Sequence, residues 1–220
     1  MNANLNTQTL LATLAITVVA GTSAADIMSS SPSVTVANGT FMTPDLTLGS
    51  FESDSAVRLY RERIGYELQS LLKFDVTATG TGGLADLSPG DAGPGQEIRS
   101  YFLHFDPESG SAVSIAGGFQ LSSDEEIIGL IFSDDRMALA DTVIGRPGVT
   151  YPTGFAGRGY DANDDSWTIS ANRHVFQFTM RAGGQGLDQV RVITQVVPAP
   201  GALALTGMGG LVIARRRRTA

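Results

Sequence analysis

The sequence predicts a mainly β fold, an antiparallel β-sandwich of jelly-roll-like type, lying between two short terminal segments. Three observations predict it. The 220 residues include 26 glycines and 9 prolines, too many for a helical bundle. Hydrophobic residues make up 42% of the chain, which excludes a disordered polypeptide. Between residues 26 and 196, apolar and polar residues alternate in short runs, as they do in strands that bury one face.

Short apolar runs separated by Gly, Asp and Asn turns mark the expected strands. Residues 98–106 alternate up to Pro107, which cannot continue a ladder. Residues 127–132 form a continuous apolar run, typical of a strand that is buried on both faces. The other expected strands are residues 74–79, 112–121 (where Gly117 and Gly118 predict a turn or a bulge), 166–170, 174–180 and 190–196.

Residues 56–72 fit two patterns. The spacing of the leucines, Tyr60 and Ile64 is close to that of a helix, but Gly65 interrupts it. At the start of the segment, Val57 and Leu59 alternate with more polar neighbours. We therefore expect two strands here.

Residues 1–25 have the pattern of a secretory signal peptide. A polar start precedes an apolar run, residues 10–20, which is too short to span a membrane. Small residues allow cleavage after Ala24 or Ala25. The start lacks lysine and arginine, and the alternative is an amphipathic helix buried in the domain. The sequence thus predicts an N-terminal signal helix and export.

Residues 197–220 combine a proline-rich start, a short apolar run and a terminal arginine cluster. The cluster, Arg215, Arg216, Arg217 and Arg218, is expected to stay in the cytoplasm and to stop translocation. Residues 196–214 make about 28 Å of helix at ~1.5 Å per residue, barely the thickness of the hydrocarbon layer. The sequence predicts a short transmembrane helix that suits a temporary anchor.

This arrangement resembles the PEP-CTERM sorting signal, whose tail is sometimes labelled an ice-binding protein C-terminal domain. The resemblance implies that Pro198, Ala199 and Pro200 form the tripeptide recognised by an exosortase, a membrane transpeptidase-like enzyme. The central residue is usually Glu, and Ala199 replaces it here. No ice binding is implied, because the sequence has no regular Thr-x-Thr ladder. An ordinary stop-transfer helix that remains in the membrane is the alternative.

The part between the terminal segments, residues 26–196, is similar, more loosely, to uncharacterised exported domains that carry interchangeable C-terminal anchors. The segments that carry this similarity are residues 100–106, 127–134 and 188–194. The resemblance implies a compact β domain and supplies no catalytic residues.

The same central part is strongly acidic. It contains all 22 acidic residues and eleven of the 15 basic ones, a net charge of −11. This charge argues against nucleic acid as a partner, and it favours solubility, divalent cations or basic polymers. The chain has no cysteine, which excludes disulfides, thiolate metal sites and a cysteine nucleophile.

The densest group of oxygen ligands consists of Asp161, Asn163, Asp164 and Asp165. Their spacing matches the opening of an EF-hand loop, although the glycine and the final glutamate of such a loop are missing. Calcium is therefore the predicted cofactor at this loop. The alternative is a polar turn whose side chains bond their own backbone. Residues 124–126 and 134–135 are weaker candidates.

No catalytic motif is present in the sequence. Neither His104 nor His174 lies in a nucleophile motif, and each is expected to pack against aromatic residues within a strand. Tyr151 and Tyr160 lie in a glycine-rich stretch and are candidates for a platform that stacks on sugar rings. Trp167 alternates with a buried-type isoleucine and is expected in the core.

These observations predict an exported, non-enzymatic protein of the cell surface or extracellular matrix. An exosortase-type enzyme, the membrane and a polysaccharide are the expected partners. The alternative function is that of a secreted polysaccharide hydrolase, in which two carboxyl groups ~5–9 Å apart act as acid and base.

Overall fold

The structure, a computed structural model, describes residues 27–37, 45–108, 112–161, 164–183 and 186–197. Within these ranges the chain forms twelve strands and one helix. In chain order they are β1 (Ile27–Ser30), β2 (Val34–Val36), β3 (Val57–Glu67), β4 (Leu72–Phe74), β5 (Gly80–Gly82), β6 (Gly90–Ala92), β7 (Glu97–Phe105), β8 (Val113–Leu121), β9 (Glu125–Ile131), α1 (Asp134–Ile144), β10 (Ser166–Ile169), β11 (Val175–Ala182) and β12 (Asp188–Val196).

The strands form two five-stranded sheets and a short ribbon. The first sheet has the order β1-β8-β11-β10-β5, and the second has the order β2-β3-β7-β12-β9. The ribbon consists of β4 and β6. The pairings between these strands are antiparallel, except that β2 runs parallel to β3. The prediction of a mainly β fold with antiparallel sheets is confirmed, and the architecture is consistent with a β-sandwich.

The main core lies between the two sheets. Phe119 and Trp167 of the first sheet belong to the same buried cluster as Tyr101 and Leu103 of the second sheet. The rings of Tyr101 and Phe119 have their centroids 5.7 Å apart, so the two sheets are in direct contact. The expectation that Trp167 is a core residue is confirmed.

The second sheet is buried on its other face as well. Nearly every residue of β7 and β12 is buried, where a sheet with one solvent face would alternate. On this outer face, Phe102 and Ile193 pack with Met137 and Ala140 of α1 and with Phe74 of the ribbon. The second sheet is thus the middle layer of the domain, between the first sheet and a layer formed by α1 and the ribbon.

The helix α1 is absent from the sequence predictions. Only Met137, Ala140 and Ile144 of this helix are buried, so its apolar stripe is narrow. Residues 134–135, which the sequence marked as weak metal candidates, occupy its first turn. The Asp134 carboxylate accepts hydrogen bonds from the backbone N–H groups of residues 157–159, at 2.9–3.2 Å, and so ties that loop to the helix.

The turn or bulge expected at Gly117 and Gly118 is wrong, because β8 continues through both residues. The glycines are needed for packing instead. A Cβ atom on Gly117 would lie 2.8 Å from the ring of Phe178, its cross-strand partner. A Cβ atom on Gly118 would lie 2.5 Å from the carbonyl oxygen of Phe176.

Residues 56–72 form a strand and not a helix, but the prediction of two strands is wrong: β3 runs from Val57 to Glu67, and only Leu72 of this range belongs to β4. Gly65 lies within β3 with φ at +60°, a conformation that glycine adopts without strain. The pairing of β3 with β7 shifts between Arg63 and Tyr66, around this glycine. Gly65 therefore marks a bulge in a continuous strand.

Candidate functional site

An open trough of about 550 Å³ lies on the first sheet, on the side that faces away from the second sheet. Gln120 and Gln177 are exposed there, while Phe119 and Phe176, their neighbours along the strands, point into the core. The residues that line it are Ser29, Ser30, Ser31, Ala116, Gly117, Gly118, Phe119, Gln120, Val175, Gln177 and Phe178.

The sequence of β8 explains why a trough forms at this point. In the ladder between β8 and β11, Gln177 lies opposite Gly118, and Gln120 lies opposite Val175. Because Gly118 has no side chain, the sheet surface is low between the two glutamines. Ser31 fixes the edge of the trough through two hydrogen bonds to Gly118. Its N–H donates to the Gly118 carbonyl at 2.9 Å, and its Oγ accepts from the Gly118 N–H at 3.0 Å.

The lining of the trough contains no ionisable side chain. Its polar groups are hydroxyls and carboxamides, which both donate and accept hydrogen bonds. Val175 adds apolar surface, whereas Phe178, which also borders the trough, is buried in the core. This combination can bind a neutral ligand that carries many hydroxyl groups, since such a ligand needs paired donors and acceptors next to apolar surface.

The tyrosine platform expected at Tyr151 and Tyr160 is not formed. Tyr160 is only 4% exposed and stacks on Phe132, with ring centroids 4.9 Å apart. The ring of Tyr151 packs edge-on against Phe102, and the guanidinium carbon of Arg191 lies 5.0 Å from its centroid. The buried ring of Tyr160 therefore presents no face to a sugar, and the half-buried ring of Tyr151 is left without its expected partner in a platform.

The acidic loop, residues 161–165, is described except for residues 162 and 163. Asp164 forms an exposed ion pair with Arg181, and Asn163 lies outside the described residues. Asp165 is buried and accepts hydrogen bonds from the backbone N–H groups of Asp161 and Arg181, as in the polar turn that was the alternative to a metal site. Burial raises the pKa of Asp165 to about 6, against the effect of these N–H groups. Among the described residues, no three His, Cys, Asp or Glu side chains are arranged to hold a metal ion.

A buried ionic network, which the sequence does not predict, lies between the second sheet and α1. Arg191 donates to both carboxylate oxygens of Glu62, at 2.9 and 2.8 Å, and to Asp141 at 2.7 Å. Arg158 donates to the other oxygen of Asp141 at 2.6 Å. The two cations and two anions balance, and the glutamate gains a further hydrogen bond from the Tyr151 hydroxyl at 2.6 Å.

The network continues to His104 through an amide. Arg158 donates to Gln189 Oε1, and Gln189 Nε2 donates to His104 Nδ1 at 2.9 Å. His104 Nε2 lies 2.8 Å from the carbonyl oxygen of Ser50, which can only accept. These partners require a neutral imidazole with its proton on Nε2. Burial, reinforced by the nearby charges of Arg58 and Arg158, lowers the pKa of His104 to about 4.

The network stabilises the packing of the domain and is not an open binding site. Arg158 and Arg191 are fully buried, and the four charged groups bond to one another. His104 is buried too, as expected for a core histidine. The network therefore holds α1 and the loop that carries Arg158 against the second sheet. No sequence motif marks it, because its members come from four separate segments.

Two further grooves bear on the hydrolase alternative. One, of about 230 Å³, lies between α1 and β4 and has no acidic residue in its lining. The other, of about 490 Å³, is lined by Arg61, Arg63 and Arg146, and its acidic residue is Glu62, which is bound to Arg191. Neither these two grooves nor the trough, all built from described residues, presents the pair of carboxyl groups that glycoside hydrolysis needs.

The comparisons with known proteins do not identify a relative. No protein-family model matches the chain, and no curated protein and no solved structure is detectably similar to it. In the described parts of the chain, no helix is long and apolar enough to cross a membrane. The residues predicted for export and sorting lie outside the described residues: Ala24, Ala25, Pro198, Ala199, Pro200, Arg215, Arg216, Arg217 and Arg218.

Proposed function

We propose that this chain is an exported, non-enzymatic protein of the cell surface or extracellular matrix, and that its jelly-roll-like β domain binds neutral polysaccharide through the trough of the first sheet. The observation that carries the proposal is the uncharged lining of the trough. In a domain with a net charge of −11, an open surface without any ionisable side chain is well suited to a neutral partner.

Export and sorting are the second part of the proposal and rest on the sequence. Residues 1–25 act as the signal for export, and residues 197–220 act as the sorting and anchoring segment. Arg215–Arg218 hold the end of the chain in the cytoplasm, and an exosortase-type enzyme acts at Pro198–Pro200. After processing, the β domain remains at the surface or in the matrix.

Neutral polysaccharide fits the trough better than a charged polymer. An acidic polysaccharide would be repelled by the net charge of the domain, and a basic polymer would find no carboxylate in the trough. The carboxamides of Gln120 and Gln177 flank the low strip at Gly118, so each can reach a chain that lies along it. We therefore assign these two glutamines the main hydrogen bonds to the sugar.

The test is binding of the purified full-length chain to an array of neutral, acidic and basic polysaccharides. We expect binding to neutral glycans, and a loss of roughly 5-fold for each of Gln120→Ala and Gln177→Ala, the effect of about one hydrogen bond. Gln69→Ala, at an exposed glutamine outside the trough, is the matched control and should bind as the wild type does. Binding to no neutral glycan, or binding that both trough variants leave unchanged, contradicts the proposal.

Sorting is tested separately by fractionating cells that express the intact chain or a chain that ends at residue 196. We expect the intact chain in the membrane and surface fractions, and the shortened chain in the medium or periplasm. Changing all four terminal arginines to glutamine should weaken retention in the same way. An equal distribution of the chains would refute the sorting part and would leave the glycan experiment to decide the role of the trough.

A further inference from the structure

We infer that the arginine groove, lined by residues 61–66 and 146–147, binds carbohydrate that carries carboxylate groups, the uronic acid units of an acidic glycan. The groove measures about 490 Å³ and lies between the second half of β3 and the turn that follows α1. Its lining residues differ from those of the trough on the first sheet. The groove is therefore a second site, which goes beyond the proposed neutral-glycan trough and does not depend on it.

The charge of the lining points to an anionic ligand. Arg61, Arg63 and Arg146 contribute three guanidinium groups and Glu62 one carboxylate, so the lining carries a net charge of +2. The Glu62 carboxylate is buried and accepts hydrogen bonds from Arg191 at 2.9 and 2.8 Å, so its charge is compensated inside the domain. In a domain with a net charge of −11, three arginines along one groove form a local positive region that attracts anions.

Arg63 is held in a fixed position at the end of α1. Its Nε donates to the Ile144 carbonyl at 2.7 Å, and its Nη2 donates to the Gly145 carbonyl. Its guanidinium carbon lies 4.6 Å from the centroid of the Tyr66 ring. These hydrogen bonds to described residues do not use Nη1, whose two N–H groups can donate to a ligand. Because the guanidinium is already ordered, it loses little side-chain entropy when it binds an anion.

Arg146 is brought to the groove by the turn after α1. Its N–H donates to the Tyr151 hydroxyl at 2.9 Å, and its carbonyl accepts from the Val149 N–H at 3.2 Å. Arg61 lies two residues before Arg63 on β3, and the pairing with β7 shifts between them. The three cations thus come from two separate segments that the fold brings to one groove, and they can contact more than one carboxylate of an extended ligand.

The groove also offers surface to a sugar ring. Ile64 is 56% exposed, and the Tyr66 ring and the exposed Pro147 belong to the lining as well. Sugar rings pack their C–H groups on such apolar and aromatic surface. Guanidinium groups bind planar carboxylates through paired N–H···O bonds. A uronic acid combines a ring with a carboxylate, whereas a bare inorganic anion would use only the cations.

The acidity of the rest of the domain does not prevent a short anionic ligand from binding here. Charges are screened beyond about 8–10 Å at 0.10–0.15 M salt, so a ligand of a few sugars interacts mainly with the arginines. One acidic side chain lies next to the lining: a Cβ on Gly65 would be 3.4 Å from Oε1 of Glu97. This carboxylate repels an anion at that end of the groove, so Glu97→Gln should bind the ligand roughly 2-fold more tightly.

The experiment titrates the purified full-length chain in a calorimeter with three probes, at 50 and at 500 mM NaCl. The probes are a linear galacturonate tetramer, its methyl ester, which has the same rings without the charges, and inorganic sulfate. We expect the tetramer to bind at 50 mM salt and to bind on the order of 10-fold more weakly at 500 mM, because salt screens its contacts with the arginines. The ester and sulfate should bind at least about 10-fold more weakly than the tetramer, the loss of one charge-assisted hydrogen bond or more.

Variants locate the binding site. Arg61→Gln and Arg146→Gln should each weaken binding of the tetramer roughly 10-fold. Arg181→Gln removes the same charge from an exposed side chain outside the groove, so it is the matched control and should bind the tetramer as the wild type does. Gln120→Ala, in the trough, should also leave tetramer binding unchanged, which separates a failure of the groove from a failure of the trough. The thermal midpoint of each variant shows whether it is folded.

A wild type that does not bind the tetramer overturns the inference, and so does an ester that binds as tightly as the acidic tetramer. Losses that are as large in Arg181→Gln as in the two groove variants show attraction by net charge alone and overturn it as well. Sulfate that binds as tightly as the tetramer shows a simple anion site and overturns the assignment of a sugar. Tetramer binding that is sensitive to salt and is weakened only by the groove variants supports the site.

Discussion

Replacing Arg191 with methionine is the most direct test of the buried ionic network. The guanidinium is fully buried, holds Glu62 through two hydrogen bonds, and reaches Asp141 in α1. Methionine occupies similar space but carries no charge, so Arg191→Met leaves two buried carboxylates to share one cation, Arg158. The variant is expected to fold with a lower free energy of unfolding.

The magnitude follows from the charges left behind. Removing one partner of a buried ion pair costs about 3–5 kcal/mol, because the other charge stays buried without compensation. A typical domain has only about 5–15 kcal/mol of stability, so this loss is a large part of the total. In urea, it shifts the unfolding midpoint by roughly 2 M for an m-value near 2 kcal/mol/M. The double variant Arg191→Met/Glu62→Gln restores the charge balance and should be more stable than Arg191→Met.

The assay is equilibrium unfolding in urea, followed by the fluorescence of Trp167, which is the single tryptophan and is buried. Arg181→Met is the matched control, because Arg181 pairs with Asp164 where both side chains are about 44–45% exposed. An exposed pair contributes about 0–1 kcal/mol, so this variant should change the midpoint little.

Two results would refute the reasoning about the network. One is an Arg191→Met variant that loses less than about 1 kcal/mol, as an exposed pair would. The other is a double variant that loses the sum of the two single losses, because independent effects add whereas members of one network do not.

Three further predictions concern packing and titration. His104 is neutral in the folded state because its pKa is lowered to about 4, so the unfolded chain binds more protons below pH 7. The free energy of unfolding should therefore fall on the order of 2–3 kcal/mol from pH 7 to pH 4. His104→Gln should remove this pH dependence when urea unfolding is measured at each pH. Gly129→Ala places a Cβ 2.5 Å from the Phe74 ring and should cost about 1–3 kcal/mol in the same assay. Arg63→Ala removes the hydrogen bonds to the carbonyls that end α1, at Ile144 and Gly145, and should lower the thermal midpoint by a few degrees, about 1 kcal/mol.

The strands could be predicted from sequence because alternation and turn residues are local signals. The runs at residues 98–106 and 190–196 correspond to β7 and β12, two adjacent interior strands of the second sheet. The helix could not be predicted in the same way. Its apolar stripe, formed by Met137, Ala140 and Ile144, is narrow. The sheet beneath the helix presents Arg191 as well as apolar residues, and Arg191 bonds to Asp141 and to the Met137 carbonyl of the helix.

The candidate sites show the same limit. Asp165 could be selected from its acidic neighbours, but its burial and its hydrogen bonds to the backbone of Asp161 and Arg181 depend on the fold. Gln120 and Gln177 are ordinary exposed residues of strands in the sequence, and their meaning depends on the register that sets Gly118 between them. Tyr151 and Tyr160 were candidates because they are aromatic, but in the fold their rings pack against Phe102 and Phe132.

The distribution of charge links the buried network to the proposed function. Three arginines, Arg99, Arg158 and Arg191, are buried against carboxylates, so they compensate charges in the interior and none at the surface. These pairs are neutral in sum, so the net charge of −11 comes from the rest of the domain, and the trough is a neutral region on its surface. Binding through charged groups weakens as salt screens them, within about 10 Å at 0.1 M. A neutral polysaccharide held in the trough should therefore bind equally well at 50 and 500 mM salt, whereas an acidic or basic polymer attracted elsewhere on the surface should show a clear salt dependence.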